Sequence, residues 1–339
     1  FFYLKFFITS LILSAVFLFC FFLSNQTIKY SQEHALLGTF VHIDICAARN
    51  DRTVVLIAFD KAWQRLEEIN TRLNVYDEKS DIAKINASYP NPVQIYPDTY
   101  KILQLSIRYN ELTQGAFDIT IWPLVVLWKD AEKKNKIPSV SEIKIAQSAT
   151  GNNKVKFLPQ DRIQLMHPRT KIDLSAIGQG YAADEAARVL NGEGLKNFLV
   201  NTGGEIFAQG CNENGQPWTV GIKDPGQSHD MFDIIKIASG GVSTSGNYEK
   251  YYEIAQKRYS RVIDPKTGYP ASKVASATVV AQNATQADIL STALCVLGSE
   301  KGSRMLGALP YPVAVMIIEQ NESKAPAIYK NREYQNLAR

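Results

Sequence analysis

Ile172-Asp-Leu-Ser-Ala176-Ile-Gly-Gln-Gly180-Tyr-Ala-Ala-Asp184 is the stretch on which the fold turns. Its Gly178-Gln-Gly-Tyr-Ala-Ala183 portion has the G-x-G-x-x-A form of a dinucleotide fingerprint. It sits between a predicted short strand, Lys171 to Leu174, and a predicted helix, Tyr181 to Leu190, with a further strand at Phe198 to Val200. A nucleotide-binding half of the doubly wound kind needs an uninterrupted βαβαβ series, and nothing around this mid-chain motif supplies one. The other reading is a glycine turn that lets strand and helix pack closely, with amide groups at a helix start that suit a phosphate.

Outward from this stretch, strands and helices mix without strict alternation, which points to an α+β fold. From Leu37 to Ala47, Val41, Ile43 and Ile45 alternate with His42, Asp44 and Cys46, the period of a half-buried strand. Leu56, Phe59, Trp63, Leu66, Ile69 or Asn70, and Leu73 recur at spacings of three and four, the stripe of a long amphipathic helix. A second helix is predicted from an N-cap at Asp98 to a stop at Gly115. The charged stretch from Trp128 to Asn153 reads as a surface connection, followed by hairpin strands at Lys154 to Leu158 and Arg162 to Met166. Further strands are expected at Trp218 to Ile222, Asp233 to Ala238, Tyr251 to Ala255, Ser276 to Ala281 and Val313 to Ile318, with a helix from Thr285 to Leu297.

Lys and Arg number 37 against 33 Asp and Glu in 339 residues, a net charge of +4, and the basic residues are scattered, which argues against a nucleic-acid partner. After Lys5, the run from Phe6 to Leu23 is apolar except for Thr9, Ser10 and Ser14. About 18 such residues approach the length that crosses a bilayer core. Residues 1–28 are therefore expected to be a signal peptide or membrane anchor, and residues 29–339 a single domain at the periplasmic side of the inner membrane or exported to the periplasm. Cys20 follows Phe19, bulkier than the small residue that lipoprotein processing needs. Cys46, Cys211 and Cys295 form no metal-ligand spacing with one another or with His34, His42, His167 and His229, which argues against zinc.

Lys266-Thr267-Gly268 and Ser141-Glu-Ile-Lys144 each match an element of penicillin-recognising serine enzymes, but no Ser-Asp-Asn accompanies them, and Asp264 to Pro270 reads as a plain turn. Asp288 and Thr292, four apart on the predicted late helix, share one face. A carboxylate and a hydroxyl so placed suit Mg²⁺ or Ca²⁺, but spacing alone favours a helix-end charge beside a threonine bonded back to its i−4 carbonyl. Asn201-Thr-Gly203-Gly204-Glu205 and Ser243-Thr-Ser-Gly246-Asn-Tyr248 read as two small polar loops, able to approach a ligand or simply to turn.

Taken in order, these segments resemble one family, the FAD:protein FMN transferases of the ApbE type. The resemblance runs from about Leu37 to Gly298. It rests on Leu37-Gly-Thr39, Asn74-Val-Tyr76 with Ser80-Asp-Ile and Asn86, Gly115-Ala-Phe-Asp118-Ile-Thr120 with Pro123 and Trp128, and the Ile172–Asp184 stretch. It continues through Gly203-Gly204, Ser243 to Tyr248, Tyr259-Ser-Arg-Val-Ile-Asp264-Pro-Lys-Thr-Gly268 and Ala287-Asp-Ile-Leu-Ser-Thr292-Ala.

The resemblance implies a two-lobed α+β fold of mixed or antiparallel sheets flanked by helices, with FAD in a cleft between the lobes. It implies Mg²⁺ on the FAD pyrophosphate, held by the Ala176 carbonyl, Asp288 and Thr292. By the same resemblance Leu37, Tyr76, Ala116, Phe117, Asp118, Asp173, Gln179 and Val262 are FAD contacts, with Tyr76 the stacking partner of a flat ring. The implied reaction moves FMN from FAD onto a Ser or Thr hydroxyl of an acceptor flavoprotein and releases AMP.

Two positions depart from the pattern. Gln179 stands where family members commonly carry Lys, and Arg261 stands where they usually carry His. Arginine stays protonated, so it can hold a phosphate but cannot serve as a base. The expectation is retained FAD and Mg²⁺ binding with slowed turnover, the alternative being a flavin-binding protein without turnover.

Overall fold

The computed structural model describes residues 26–226, 231–247, 251–320 and 325–337. The apolar segment from Phe6 to Leu23, Cys20, His229 and Tyr248 lie outside these residues. Among the described residues no helix is long and apolar enough to cross a membrane.

The chain opens with an antiparallel hairpin, β1 (Thr27–Leu36) and β2 (Thr39–Ala48), turned at Leu37 and Gly38. Helix α1 (Arg52–Leu73) buries Val55, Phe59, Trp63, Leu66 and Ile69. Leu56, expected on that stripe, is exposed, because Val55 completes the inward face instead. There follow α2 (Asp81–Ala87), β3 (Val93–Gln94), α3 (Pro97–Leu112), α4 (Trp122–Lys133), α5 (Val140–Gln147), β4 (Val155–Leu158) and β5 (Arg162–Leu165). Next come α6 (Gly178–Gly192), β6 (Phe198–Asn201), β7 (Ile206–Gln209), β8 (Trp218–Lys223), β9 (Met231–Ile237), β10 (Ser239–Gly246), β11 (Tyr251–Ile254) and β12 (Lys257–Ser260). The chain closes with β13 (Val274–Ala281), α7 (Ala284–Gly307), β14 (Ala314–Glu319), β15 (Ala327–Lys330) and α8 (Arg332–Leu337).

An eight-stranded sheet in the order β1-β2-β6-β7-β10-β13-β14-β15 organises the fold, and each of its pairings is antiparallel. The α+β expectation is met. Helices α1 and α6 cover β2 and β6 through Val41, Ile43, Ile45, Phe198 and the alanines of α6. The hairpin of β8 and β9, with Tyr334 of α8, covers the other face over Val242, Val280 and Met316. Strand β13, between these layers, is buried at every position, so it reads as a continuous apolar run instead of an alternating one. A small sheet, β3-β5-β4, packs with α2 and α3 into the cluster under α7.

Several expectations need correction. Lys171 to Leu174 is extended but pairs with no strand in a ladder, so no βαβ unit surrounds the glycine motif. The presumed connection from Trp128 to Asn153 contains the end of α4 and all of α5, because Leu124, Trp128 and Ala131 recur on a buried face that the charged residues between them mask. Helix α5 is opened by a capping box between Ser139 and Glu142, and Ser141 and Lys144 lie on it as ordinary helix residues. Asp98 is not the cap of α3. Its carboxylate instead pairs with Arg65 and Arg72 of α1, while Tyr96 occupies the cap position. Ser243 to Gly246 is not a loop but the inner part of β10, paired with β13. Helix α7 runs past the expected stop at Leu297, but Gly298 interrupts it with φ 71° and ψ −178°, a conformation open essentially to glycine.

Candidate functional site

The site is built where α6 and α7 cross. A Cβ on Gly180 would lie 2.5 Å from the Ala284 carbonyl oxygen and 2.8 Å from Asp288 Cβ, so only glycine permits this approach. The Gly180 amide then donates to Asp288 Oδ2 at 3.1 Å and orients that carboxylate. Asp184, one turn further along α6, accepts from the Ala284 and Thr285 amides at 2.8 and 2.9 Å and fixes the start of α7. The first amides of α6 are largely committed to the protein: Gly178 donates to Leu174 O and Tyr181 to Ile177 O. The helix start is therefore chiefly a packing device and not the anion cradle its sequence allowed.

Before α6, the loop from Ile172 to Ala176 is held by side chains. Asn86 binds Ile172 through both its amide atoms, and the Asp173 amide donates to Ile119 O at 2.8 Å. This brings Asp173 beside the Ala116–Asp118 loop that follows α3.

These elements wall a cavity of about 730 Å³, within the range of small-ligand sites. Ala176, Asp288 and Thr292 all face it. So do Tyr76, Ala116, Phe117 and Asp118, and from the other side Asp173, Gln179, Arg261 and Val262. Leu37 is not among the lining residues. It sits in the β1–β2 turn at φ 56° and packs against the apolar layer under α1. Neither Ser141 nor Lys144 lines the cavity.

The electrostatics are mixed in sign. Burial pushes the carboxyl groups of Asp118 and Asp173 above the usual carboxylate range, against hydrogen bonds that favour their charged forms. Thr120 donates to Asp118 Oδ1 through its amide at 2.7 Å and its hydroxyl at 2.6 Å, and the Ser175 amide donates to Asp173 Oδ1 at 2.9 Å. Arg261 lays its guanidinium over the ring of Tyr252, 5.6 Å from the centroid. Burial lifts the Tyr252 phenol to about 12. At the cavity mouth Tyr76 is 72% exposed, so its ring is available to a planar ligand. Lys129 donates to its hydroxyl at 2.8 Å, and Trp122 meets it edge-on at 6.0 Å.

The donor set fits a hard divalent ion that retains water or phosphate ligands. Among the described residues no three His, Cys, Asp or Glu side chains gather as a metal cluster. An ion here would rest on one carboxylate, Asp288, and on the neutral oxygens of Thr292 and Ala176. Mg²⁺ uses one or two carboxylates together with substrate phosphates, whereas Zn²⁺ asks for nitrogen or sulfur.

Residues 37–317 match the ApbE family. The chain belongs to that family. It is 34% identical over 294 residues to the FAD:protein FMN transferase of Klebsiella pneumoniae (strain 342), covering 84% of this chain and 83% of that protein. The Escherichia coli (strain K12) FAD:protein FMN transferase is likewise 34% identical, over 282 residues, 81% of this chain and 80% of that one. The crystal structure of the ApbE protein of Thermotoga maritima superposes with a TM-score of 0.81 at 32% identity, covering 92% of this chain and all of its own. The flavin transferase ApbE of Vibrio cholerae gives 0.80 at 27%, covering 92% and 99%.

Within this ApbE-family cavity lie residues that the sequence reading passed over. Lys129 and Trp122 stand on α4, whose second half has the charged composition of a connection. The i, i+7 placement of Trp122 and Lys129 would have put both on one helix face. Tyr252 arrives from β11, and His42 with Glu33 from the first hairpin; strand alternation placed His42 on the face opposite Ile43 but gave no reason to aim it at a cavity.

Proposed function

We propose that this protein transfers FMN from FAD to a Ser or Thr hydroxyl of an acceptor flavoprotein, with Mg²⁺ as cofactor and AMP as the second product. The observation that carries the reading is the meeting, in one cavity, of the Asp288 carboxylate with Thr292, Ala176 and the loops bearing Tyr76, Asp118 and Asp173. Asp288, Thr292 and the Ala176 carbonyl would hold the ion, and bound there it would supply charge neutralisation at the diphosphate. Tyr76 offers its face to the isoalloxazine ring, with Trp122 and Lys129 fixing the angle of that face. Ala116 to Asp118, Asp173, Gln179 and Val262 complete the dinucleotide wall.

Arg261 holds a permanent positive charge at the same wall and takes no proton, so the acceptor hydroxyl lacks a base at that position. Turnover is accordingly slow, by up to about 10²–10⁴ for a missing general base. The same observation favours the second reading, a protein that binds FAD without transferring FMN. We further infer that residues 1–28 lead or anchor the domain of residues 29–339 to the periplasmic side of the inner membrane, from the apolar run after Lys5.

The test is incubation with FAD, Mg²⁺ and an acceptor flavoprotein, read as flavin fluorescence retained by the acceptor in a denaturing gel. Slow labelling that chelation abolishes supports the transferase. Bound FAD with no labelling at long times supports the binding protein, and absence of FAD binding removes both.

A further inference from the structure

Four hydroxyl side chains, one of them the proposed metal ligand Thr292, join α7 to β10, and Ser245 and Thr292 among them line the cavity. Ser291 Oγ lies 2.9 Å from the Asp288 backbone oxygen, 2.8 Å from Ser245 Oγ and 3.2 Å from Ser243 Oγ. Ser245 Oγ in turn lies 3.3 Å from Thr292 Oγ1. Ser243 and Ser291 are fully buried, so no water competes for their own protons, whereas Ser245 and Thr292 are half-buried at the cavity wall.

Each hydroxyl has one proton and two lone pairs, which determines every bond direction in the chain. A backbone carbonyl can only accept, so the Ser291 proton goes to Asp288 O. Ser291 must then accept from both Ser243 and Ser245. Ser245 has thereby spent its proton, and its contact with Thr292 is made only if Thr292 donates. A helical threonine would ordinarily return its proton to the i−4 carbonyl, but for Thr292 that carbonyl is Asp288 O, whose two lone pairs already serve the helix amide and Ser291.

We propose that Ser291 and Ser245 are positioning residues that hold the Thr292 proton on Ser245, at the cavity wall, and leave the Thr292 lone pairs free to face the ion. The inference rests on the Mg²⁺ reading of Asp288 and Thr292 given above. A threonine hydroxyl free to rotate would present a proton to the cation in some of its rotamers. The relay removes those rotamers, which is what an outer-shell partner does for a ligand.

The test measures Mn²⁺ uptake, as a Mg²⁺ substitute, by the FAD-saturated protein, from the electron paramagnetic resonance signal of free Mn²⁺. Ser245→Ala deprives Thr292 of its acceptor, and Ser291→Ala releases the Ser245 proton to point back at Thr292. Each is expected to weaken Mn²⁺ binding about 10-fold, the lower end of the cost of losing an outer-shell partner. Ser243→Ala removes an equally buried hydroxyl that only donates into Ser291, and it should leave Mn²⁺ affinity at the wild-type value. Equal weakening by Ser243→Ala and Ser245→Ala, or unchanged binding in both Ser245→Ala and Ser291→Ala, overturns the proposal. Asp288→Asn separates the two levels. If it abolishes uptake while Ser245→Ala does not weaken it, the relay alone is wrong. If the wild type takes up no Mn²⁺, or Asp288→Asn binds it unchanged, the metal reading fails and the relay with it.

Discussion

Asn86 serves Ile172 as a neighbouring strand would: its Nδ2 donates to Ile172 O at 2.9 Å and its Oδ1 accepts from Ile172 N at 2.6 Å. Ile172 is fully buried, so no solvent can replace either bond. Asn86→Ala leaves an amide and a carbonyl unsatisfied at a cost of about 1–3 kcal/mol for each group. Asn86→Asp still accepts from the Ile172 amide but sets an oxygen against the Ile172 carbonyl, so it should not rescue. The urea midpoint should fall in both variants. FAD affinity should fall with it, since Asp173 and Ala176 hang from the same segment.

Gly180→Ala tests the helix crossing. The added methyl meets backbone at Ala284 and the stem of Asp288, neither of which is the far end of a flexible chain. Overpacking of this kind costs about 1–3 kcal/mol. It also displaces the amide that orients Asp288, so divalent-ion uptake should fall by more than the loss in thermal stability explains. Gly178→Ala is the control, because a Cβ there meets nothing within 4 Å.

The sequence made most of the cavity lining legible because its residues lie in short blocks whose chemistry is local: Asp288 and Thr292 on one helix face, Gln179 at a helix start, Ala116 to Asp118 in a loop. The errors lie where tertiary contact overrides local pattern. Ser243 to Gly246 has the small polar composition of a loop, yet β7 and β13 flank its strand and Ser243 finds a hydroxyl partner across to α7. Lys171 to Leu174 has strand character, but a side chain, Asn86, takes the place of the strand partner. Trp128 is hidden among charges and is nonetheless fully buried, its indole donating to Gly268 O at 2.9 Å, a contact 140 residues away that no local window contains.

Asp118 makes a pH prediction. Burial raises its native carboxyl above its unfolded value, so the native state binds more protons than the unfolded chain in the interval between the two. The stabilising contribution of its protonated form is complete below an unfolded value of about 3.9 and is lost as pH rises through the raised native value. Asp118→Asn removes that dependence while its Oδ1 can still accept from Thr120. In the ligand-free protein the variant should melt higher than wild type near neutral pH, and the difference should shrink as pH falls towards 4. A constant gap across a pH series of thermal scans would contradict this.

Arg261→His gives the most direct reading of catalysis. Arg261 lines the cavity with Asp173 and Val262 and has its guanidinium over Tyr252, so on the proposed reading a histidine there would face the bound flavin nucleotide. An imidazole can accept the acceptor's hydroxyl proton at neutral pH, a contribution of about 10²–10⁴ in rate. Labelling of an acceptor flavoprotein by Arg261→His should therefore rise many-fold and acquire a pH dependence in the histidine range. Arg261→Ala supplies no base and removes the charge, so it should not raise labelling and should weaken FAD binding. If Arg261→His and Arg261→Ala label at the same rate, the position does not handle the proton, and the proposed role of Arg261 in slowing turnover fails.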